Sequence, residues 1–399
     1  MKETKNKRSL FAGYSAVQAL YWAGACCVGG YAAVYLQSHG YTNSRLGLIL
    51  ALGNIGGFFL APLLAGIIDR SDRVSVFTCM FGIHLTEILL ELALIFLPGR
   101  SALIGVAFCG LIILSSASNP LNTDMCFALD HSGKYINYGI CRSFGSLAYT
   151  VVTLILGTLC QKLSPEILPP IGAVIAIFQL ALIFYVMKLK RTYSRKDEAE
   201  ERDLRSHAVS LPAFIRKNRR FMVFCLGTMV LNFAVSVPSS YFINVVRSVG
   251  GNTSDLGRIS SLTAFLEVPM MLFYTRLTRN IRCSAAIRIS VIVYAGKQLI
   301  YVLANGIGML YFGCIFQPFS YALLTPALVD YSSIVVSYSD IAKSQAISAA
   351  MLTLGTVFAT QLGGFMFDAL TVRTTMLISF IVCIAGAAIS FLAVDRHRA

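Results

Sequence analysis

The apolar segments of this chain are too long and too numerous for a water-soluble core. Between short charged islands run stretches of 20 or more residues with few or no charges, such as 168–188 and 374–394. A helix of that length crosses a hydrocarbon core of about 30 Å. Lipid offers the backbone N–H and C=O groups no other partner, so helix is the structure such runs must take. Twelve segments meet the description, at 10–36, 45–67, 74–96, 101–129, 136–160, 168–188, 219–246, 255–277, 283–304, 308–335, 341–366 and 374–394. Composition points the same way: 13% of the 399 residues are charged, against about a quarter in soluble domains. The expected fold is an all-α membrane protein.

An even number of spans puts both termini on one side, and Lys and Arg say which. The islands MKETKNKR, DRSDR after span 2, the segment 188–220, TRLTRNIR after span 8 and DRHRA at the end all fall together. The opposite loops carry isolated residues such as Arg45, Arg100 and Lys162. By the positive-inside rule both termini are cytoplasmic and the chain lies in the inner cell membrane. The net charge of +14 is therefore an orientation signal and not a nucleic-acid footprint. The first segment follows basic residues but outruns the 7 to 15 residues of a signal-peptide core, so it is read as the first span. Eleven cysteines lie mostly within apolar segments without metal-ligand spacing, which suits buried small hydrophobes and predicts no metal site.

The long polar segment at 188–220 divides the spans six and six. This gives an N-terminal six-helix bundle at 1–187, a cytoplasmic linker at 188–218 and a C-terminal six-helix bundle at 219–399. The second half repeats the first at an offset of 206 to 210 residues: Ser44-Arg45-Leu46-Gly47 against Ser254-Asp255-Leu256-Gly257, Pro62 against Pro269, and Pro120 with Asp124 against Pro326 with Asp330. A shared offset and the same place in the helix order indicate duplication.

This organisation resembles the major facilitator superfamily, two six-helix bundles of which flank a central cavity. The loop PLLAGIIDRSDR between spans 2 and 3 is similar to that superfamily's signature, with Pro62, Asp69, Arg70 and Arg73 matching. It departs in placing Ala65 at the usual glycine and Asp72 at a later one. The resemblance implies that Asp69, Arg70 and Arg73 form a conformational loop holding the cytoplasmic ends together in the outward-facing state.

Ionisable groups inside a membrane are costly and mark function or pairing. Here they are His84, Glu87 and Glu91 in span 3, Asp124 in span 4, Arg142 in span 5, Glu267 in span 8 and Lys297 in span 9. Asp124 and Arg142 lie at similar depth on successive spans and can pair, and Tyr149 follows Arg142 on the same helical face. Such a set can clamp hydroxyls and stack on a sugar or aromatic ring, or serve as a structural ion pair. Glu267 and Lys297 both lie near mid-membrane, and pairing is open to them. Offsets of three and seven put His84, Glu87 and Glu91 on one face. Among neutral residues, Gln18, Asn119, Asn122 and Gln317 are candidates to bind substrate, with Asn54, Asn232, Asn244 and Gln361 as further polar groups that line a cavity or satisfy neighbouring helices.

The order of Asp124, Arg142 and Tyr149, with Tyr138-Gly139-Ile140-Cys141-Arg142-Ser143-Phe144-Gly145 around it, resembles the sugar-binding region of the lactose-permease group of oligosaccharide:proton symporters and their phenylpropionate-transporting relatives. Tyr149 stands where that group has tryptophan, and Lys297 where it has arginine. The group's titratable pair in helix 10 corresponds to Gln317 and Ser320, so coupling to protons must use other carboxylates. Glu267 leads, with Lys297 as its counter-ion, and the span 3 triplet is second.

No phosphate-binding loop, nucleophile elbow or zincin pair is present, and no enzyme activity or cofactor is expected. The expected function is secondary active transport by alternating access: proton-coupled uptake of a sugar, glycoside or similar small polar or aromatic solute. An exporter of drugs or organic anions by proton antiport is the alternative, and an intramembrane enzyme the alternative of another class. The expected partners are a small-molecule substrate, protons and the lipid bilayer, with the chain a monomer.

Overall fold

A computed structural model of the chain describes residues 2–71, 74–97, 101–129, 136–191, 211–277, 281–337 and 340–394. Among them the first six expected spans appear as α1 (Lys2–Ala25) with α2 (Ala32–Ser38), α3 (Asn43–Arg70), α4 (Val76–Phe96), α5 (Ala102–Leu129), α6 (Tyr138–Lys162) and α7 (Leu168–Arg191). A short α8 (Leu211–Lys217) precedes α9 (Arg219–Ser240) and α10 (Phe242–Ser248). Then follow α11 (Thr253–Leu277), α12 (Cys283–Val302), α13 (Ile307–Cys314), α14 (Leu323–Ile334), α15 (Ile341–Ala369) and α16 (Val372–Ala393). Eleven helices are long and apolar enough to cross a membrane, and twelve spans result when the bent pair Ser9–Gly30 and Ala32–Ser38 counts as one.

Helix starts follow the local sequence. Thr42, Ser75, Asn137 and Thr371 each accept a backbone N–H from the first turn of α3, α4, α6 and α16, satisfying a donor the helix itself cannot. Three spans expected as continuous helices are interrupted. The first passes through a π-helical turn at Cys26–Gly30 and bends by 43°, where Gly29 and Gly30 weaken the regular ladder. The seventh breaks at Tyr241 between α9 and α10. The tenth runs from α13 into a π-helical segment at Pro318–Ala322, since Pro318 has no N–H to donate. Pro62, Pro120, Pro269 and Pro326 stay inside continuous helices.

The chain forms two compact units. The first comprises Met1–Tyr193 with Ser240–Phe265 and Thr360–Ala369; the second comprises Ser194–Ser239, Leu266–Ala359 and Leu370–Ala399. In the first, α3 packs on α5, α1 on α6 and α7, and α4 on α7. Small residues set the closest approach: a Cβ on Gly53 would fall 2.4 Å from Ile112 Cγ2, and one on Gly57 2.4 Å from Ser116 Cβ. In lipid, apolar burial provides little net drive, so such close packing and interhelical hydrogen bonds hold the bundle. In the second unit Phe214, Phe221, Phe224 and Tyr331 form a buried aromatic cluster. Arg220 and Arg288 there donate to the carbonyls of Ala393 and Val394, satisfying and electrostatically complementing the C-terminal end of α16. Large apolar side chains point outward, Phe96 82% and Leu392 75% exposed, as they do on a surface solvated by lipid.

Candidate functional site

In the second unit α11, α12 and the segment between α13 and α14 bring together three of the predicted residues. Lys297 on α12 donates Nζ–H to Gln317 Oε1, and the same amide donates Nε2–H to Glu267 Oε1 on α11 at 2.7 Å. Glu267 and Lys297 thus meet through Gln317, which is 7% exposed, and not by the direct contact left open by the sequence. The amide suits the position because it carries both a donor and an acceptor, one for each charge. The Pro318 π-helical segment begins beside it. Lys297 Nζ also lies 5.5 Å from the Tyr301 ring centroid.

In the first unit Asp124 and Arg142 make no ion pair. Arg142 on α6 instead lies over the Trp22 ring of α1, its guanidinium carbon 3.7 Å from the centroid, and donates Nη1–H to Ser146 Oγ at 3.0 Å. Gly145 admits the indole, since a Cβ there would fall 2.4 Å from Trp22 Cδ1. Asp124 is exposed on α5, as is Asn119. The pair left open by the sequence does not form, because Arg142 is engaged by Trp22 and Ser146 instead. Tyr149 sets its hydroxyl against the π-helical turn of the first span, where a Cβ on Gly30 would come within 2.8 Å. Gln18 and Asn122 are buried; Gln18 donates to Tyr14 Oη at 2.6 Å, and Tyr14 donates to the Asn122 carbonyl at 2.9 Å. Trp22 was missed from sequence, although it shares a helical face with Gln18 four residues earlier.

The span 3 triplet sits on α4 inside the first unit. His84 Nδ1 is 2.6 Å from Glu87 Oε2, and His84 and Glu91 are each 4% exposed. Asp69 and Arg70 lie exposed at the end of α3; Arg73 lies outside the described residues.

A second feature of the first unit is a seam at the end of the spans where α2 hands over to α3. The Asp368 carboxylate on α15 accepts four hydrogen bonds from the start of α3: Asn43 N and Nδ2 at 3.0 and 2.9 Å, Ser44 N and Oγ at 2.7 and 2.6 Å. At the start of α11, Thr253 N donates to Gln161 Oε1 of α6 at 3.2 Å. Tyr31 donates to the Thr153 carbonyl at 2.6 Å, and Tyr241 to the Thr360 carbonyl at 2.5 Å. Glycines let the paired helices touch: a Cβ on Gly157 would lie 2.7 Å from Gly257 Cα, and one on Gly47 2.3 Å from the Thr360 carbonyl oxygen. Asn244, a candidate cavity residue, belongs to this seam, bonded to Asn43 and Gln37. Tyr31 and Tyr241, Gly47 and Gly257, Thr153 and Thr360, and Gln161 and Asp368 are mates in the internal repeat, with offsets of 207 to 210 residues. The duplicated tyrosines and glycines were the signal for this seam in the sequence.

Duplicated spans that meet helix to helix, with ionisable groups held among them and an apolar exterior, define a multi-pass membrane transporter of the major facilitator type and not an enzyme. The MFS_1 like family matches residues 12–378, and the chain belongs to it. It is 23% identical over 374 residues to "Maltose permease" of Geobacillus stearothermophilus, covering 92% of this chain and 90% of that one. It is also 23% identical over 354 residues to "Uncharacterized transporter YwbF" of Bacillus subtilis (strain 168), covering 86% and 83%. Among solved structures, a mutant of the nucleoside transporter NupG has a TM-score of 0.77 at 13% identity, covering 97% of this chain and 100% of that one. At that identity the likeness speaks for the fold alone.

Proposed function

We propose that the chain is a proton-coupled importer of a sugar, glycoside or comparable small polar or aromatic solute, working by alternating access in the inner cell membrane. The observation that carries this reading is the Glu267–Gln317–Lys297 chain. A carboxylate and an ammonium held apart by a single amide are one side-chain rotation from meeting or separating. Their proton affinities change with that distance, which is what coupling needs. The resemblance to the lactose-permease group and the maltose permease relative support a sugar. So does the site: the Arg142 guanidinium, held over the Trp22 ring, supplies donors for hydroxyls.

With both ends of the chain assigned to the cytoplasm by the positive-inside rule, the seam at α3, α15, α6 and α11 lies at the outer face. The internal repeat supports the division into bundles at 1–187 and 219–399 joined by the linker 188–218. In this reading the working unit is a monomer. An anion exporter would leave Lys297 and Arg142 as unattended positive charges; here Gln317 and Trp22 engage them.

The test is transport in proteoliposomes under an imposed pH gradient, after a thermal-shift screen across sugars, glycosides, nucleosides and aromatic acids has selected the solute. Glu267→Gln should lose uphill accumulation while keeping counterflow. Unimpaired proton-driven uptake in that variant removes Glu267 from the mechanism, and uptake that requires sodium without moving protons overturns proton coupling.

A further inference from the structure

The short helix α8, Leu211–Lys217, runs almost directly into α9 at Arg219. Asn218 N–H donates to the Phe214 carbonyl at 2.9 Å and Met222 N–H to the Asn218 carbonyl at 3.0 Å, which carries the helical ladder across the junction. α8 therefore has two faces that continue into the first turn of α9. One is anchored in the second unit. Phe214 is fully buried and meets Phe221 edge to face at 6.2 Å. Lys217 Nζ donates to Ser337 Oγ at 3.0 Å and to the buried Asp340 carboxylate at 3.3 Å.

The other face is Pro212, Ile215, Arg216 and Arg219, spaced at i, i+3, i+4 and i+7, and all four are exposed. Its two arginines make no hydrogen bond or ion pair among the described residues, unlike the cations next to them. Lys217 is held by Asp340, and Arg220 by the carbonyls of Ala393 and Val394. Residues 211–222 contain four cations and no acid, and Asp340, which meets Lys217, is shared with Lys343. The positive charge of the exposed face is thus left without a counter-ion among the described residues. Side chains three apart on a helix start about 5–6 Å from one another, close enough for two guanidiniums to bracket one phosphate. Beside them Ile215 is 40% exposed. α9 is long and apolar enough to cross a membrane and starts at Arg219, so the face sits at the level of the lipid headgroups. The positive-inside rule assigns that end to the cytoplasmic leaflet, where anionic lipids attract juxtamembrane cations.

We propose that this face binds an anionic phospholipid, Arg216 and Arg219 holding the headgroup phosphate while Ile215 and Pro212 lie against the acyl boundary. A nucleic acid or an acidic protein would match the charge alone; a lipid meets the charge and the apolar pair together. A run of cations that served orientation only would need no common face. Here two of the four are taken up by the protein, and the two that remain align with the apolar residues. The site rests on the orientation given above and is independent of proton coupling and of the solute.

Lipid titration of the purified full-length protein in detergent, followed by native mass spectrometry, tests it with phosphatidylglycerol and phosphatidylcholine as the probes. The native chain should retain phosphatidylglycerol in preference. Arg216→Gln with Arg219→Gln should weaken that binding about thirtyfold, about fivefold for each charge, and leave phosphatidylcholine retention as it was. Arg276→Gln with Arg282→Gln removes the same charge from the basic loop after α11 and should leave phosphatidylglycerol binding unchanged. Equal loss in the two double variants would mean a diffuse attraction of anionic lipid to basic ends, and overturns the site. So does a native chain that retains both lipids equally. Thermal stabilisation by inorganic phosphate as large as that by phosphatidylglycerol, and lost in the Arg216 and Arg219 variant, would assign the pair to a free anion and overturn the lipid. None of these readouts depends on transport, so this proposal and the proton-coupled reading fail separately.

Discussion

The Gln317 amide donates to Glu267 at 2.7 Å while accepting from Lys297. Each charge therefore reaches the other through a neutral residue. Gln317→Leu keeps the volume and removes both bonds inside the spans. Losing hydrogen bonds to charged groups costs about 1.5–3 kcal/mol each, so the apparent melting temperature should fall by several degrees, and proton-driven uptake should fall with it. Native stability and uptake in Gln317→Leu would show that the bridge has no role.

The chain contains one tryptophan, and Arg142 covers it at 3.7 Å. Its fluorescence is consequently a single-site probe. Binding of the solute selected by thermal shift should change the Trp22 emission, and Arg142→Ala should both change the resting emission and weaken affinity about tenfold, equivalent to ~1.4 kcal/mol. A cation over an indole contributes on that scale, from about 0.5 kcal/mol at exposed sites to about 2 when desolvated. Emission indifferent to bound solute would place the binding site elsewhere.

Asp368 takes the two first-turn amides of α3 that no helical carbonyl can reach, Asn43 N and Ser44 N. Asp368→Ala should loosen that turn by about 1–2 kcal/mol, the range of a lost helix cap. Hydrogen–deuterium exchange over 43–46 should then speed up about tenfold, and reagents added from outside should reach the seam more readily. The repeat mate Gln161 accepts a single hydrogen bond among the described residues, from Thr253 N, so Gln161→Ala should have the smaller effect. Equal effects would contradict the asymmetry seen between the two halves of the seam.

Outside the spans, Asp340 has a buried carboxylate that accepts from Ser337 Oγ at 2.7 Å and from Lys217 Nζ at 3.3 Å. The Ser337 hydroxyl foremost, with Lys217 and Lys343, holds it below the ordinary carboxylate value against the opposing effect of burial. A lowered folded-state value means this group adds stability above its unfolded value of about 3.9 and loses it as pH falls through the folded value. Asp340→Asn should thus be less stable than the native chain at neutral pH and flatten the acid limb of a melting-temperature profile. A native acid limb in that variant would remove Asp340 as its source.

Much of the fold was legible because the membrane allows so few structures. Runs such as 374–394 and 45–67 had to be helices, and α16 and α3 are. The breaks in spans 1, 7 and 10 were less so. Gly29-Gly30 and Pro318 marked two of them in the sequence, whereas the break at Tyr241 becomes intelligible only beside the Thr360 carbonyl that its hydroxyl reaches. The site was legible by residue type and not by partner. Glu267, Lys297 and Gln317 were each singled out, yet the amide's place between the charges depends on how α11 and α12 turn about their axes. Asp124 and Arg142 show the same limit: the sequence left a pair open to them, but Arg142 turns to Trp22.

What the amino-acid sequence determined by itself was a membrane-embedded, internally duplicated helical chain and the short roll of ionisable residues that such a setting must explain. These follow from hydrogen-bond satisfaction in lipid and from length, which act along the chain. Tertiary structure alone decided which of those residues meet. Contacts such as Arg142 with Trp22, Gln317 with Glu267 and Asp368 with the start of α3 depend on helix rotation and on glycine-to-backbone approaches of under 3 Å for an added Cβ, and a one-dimensional pattern of hydropathy does not carry that information.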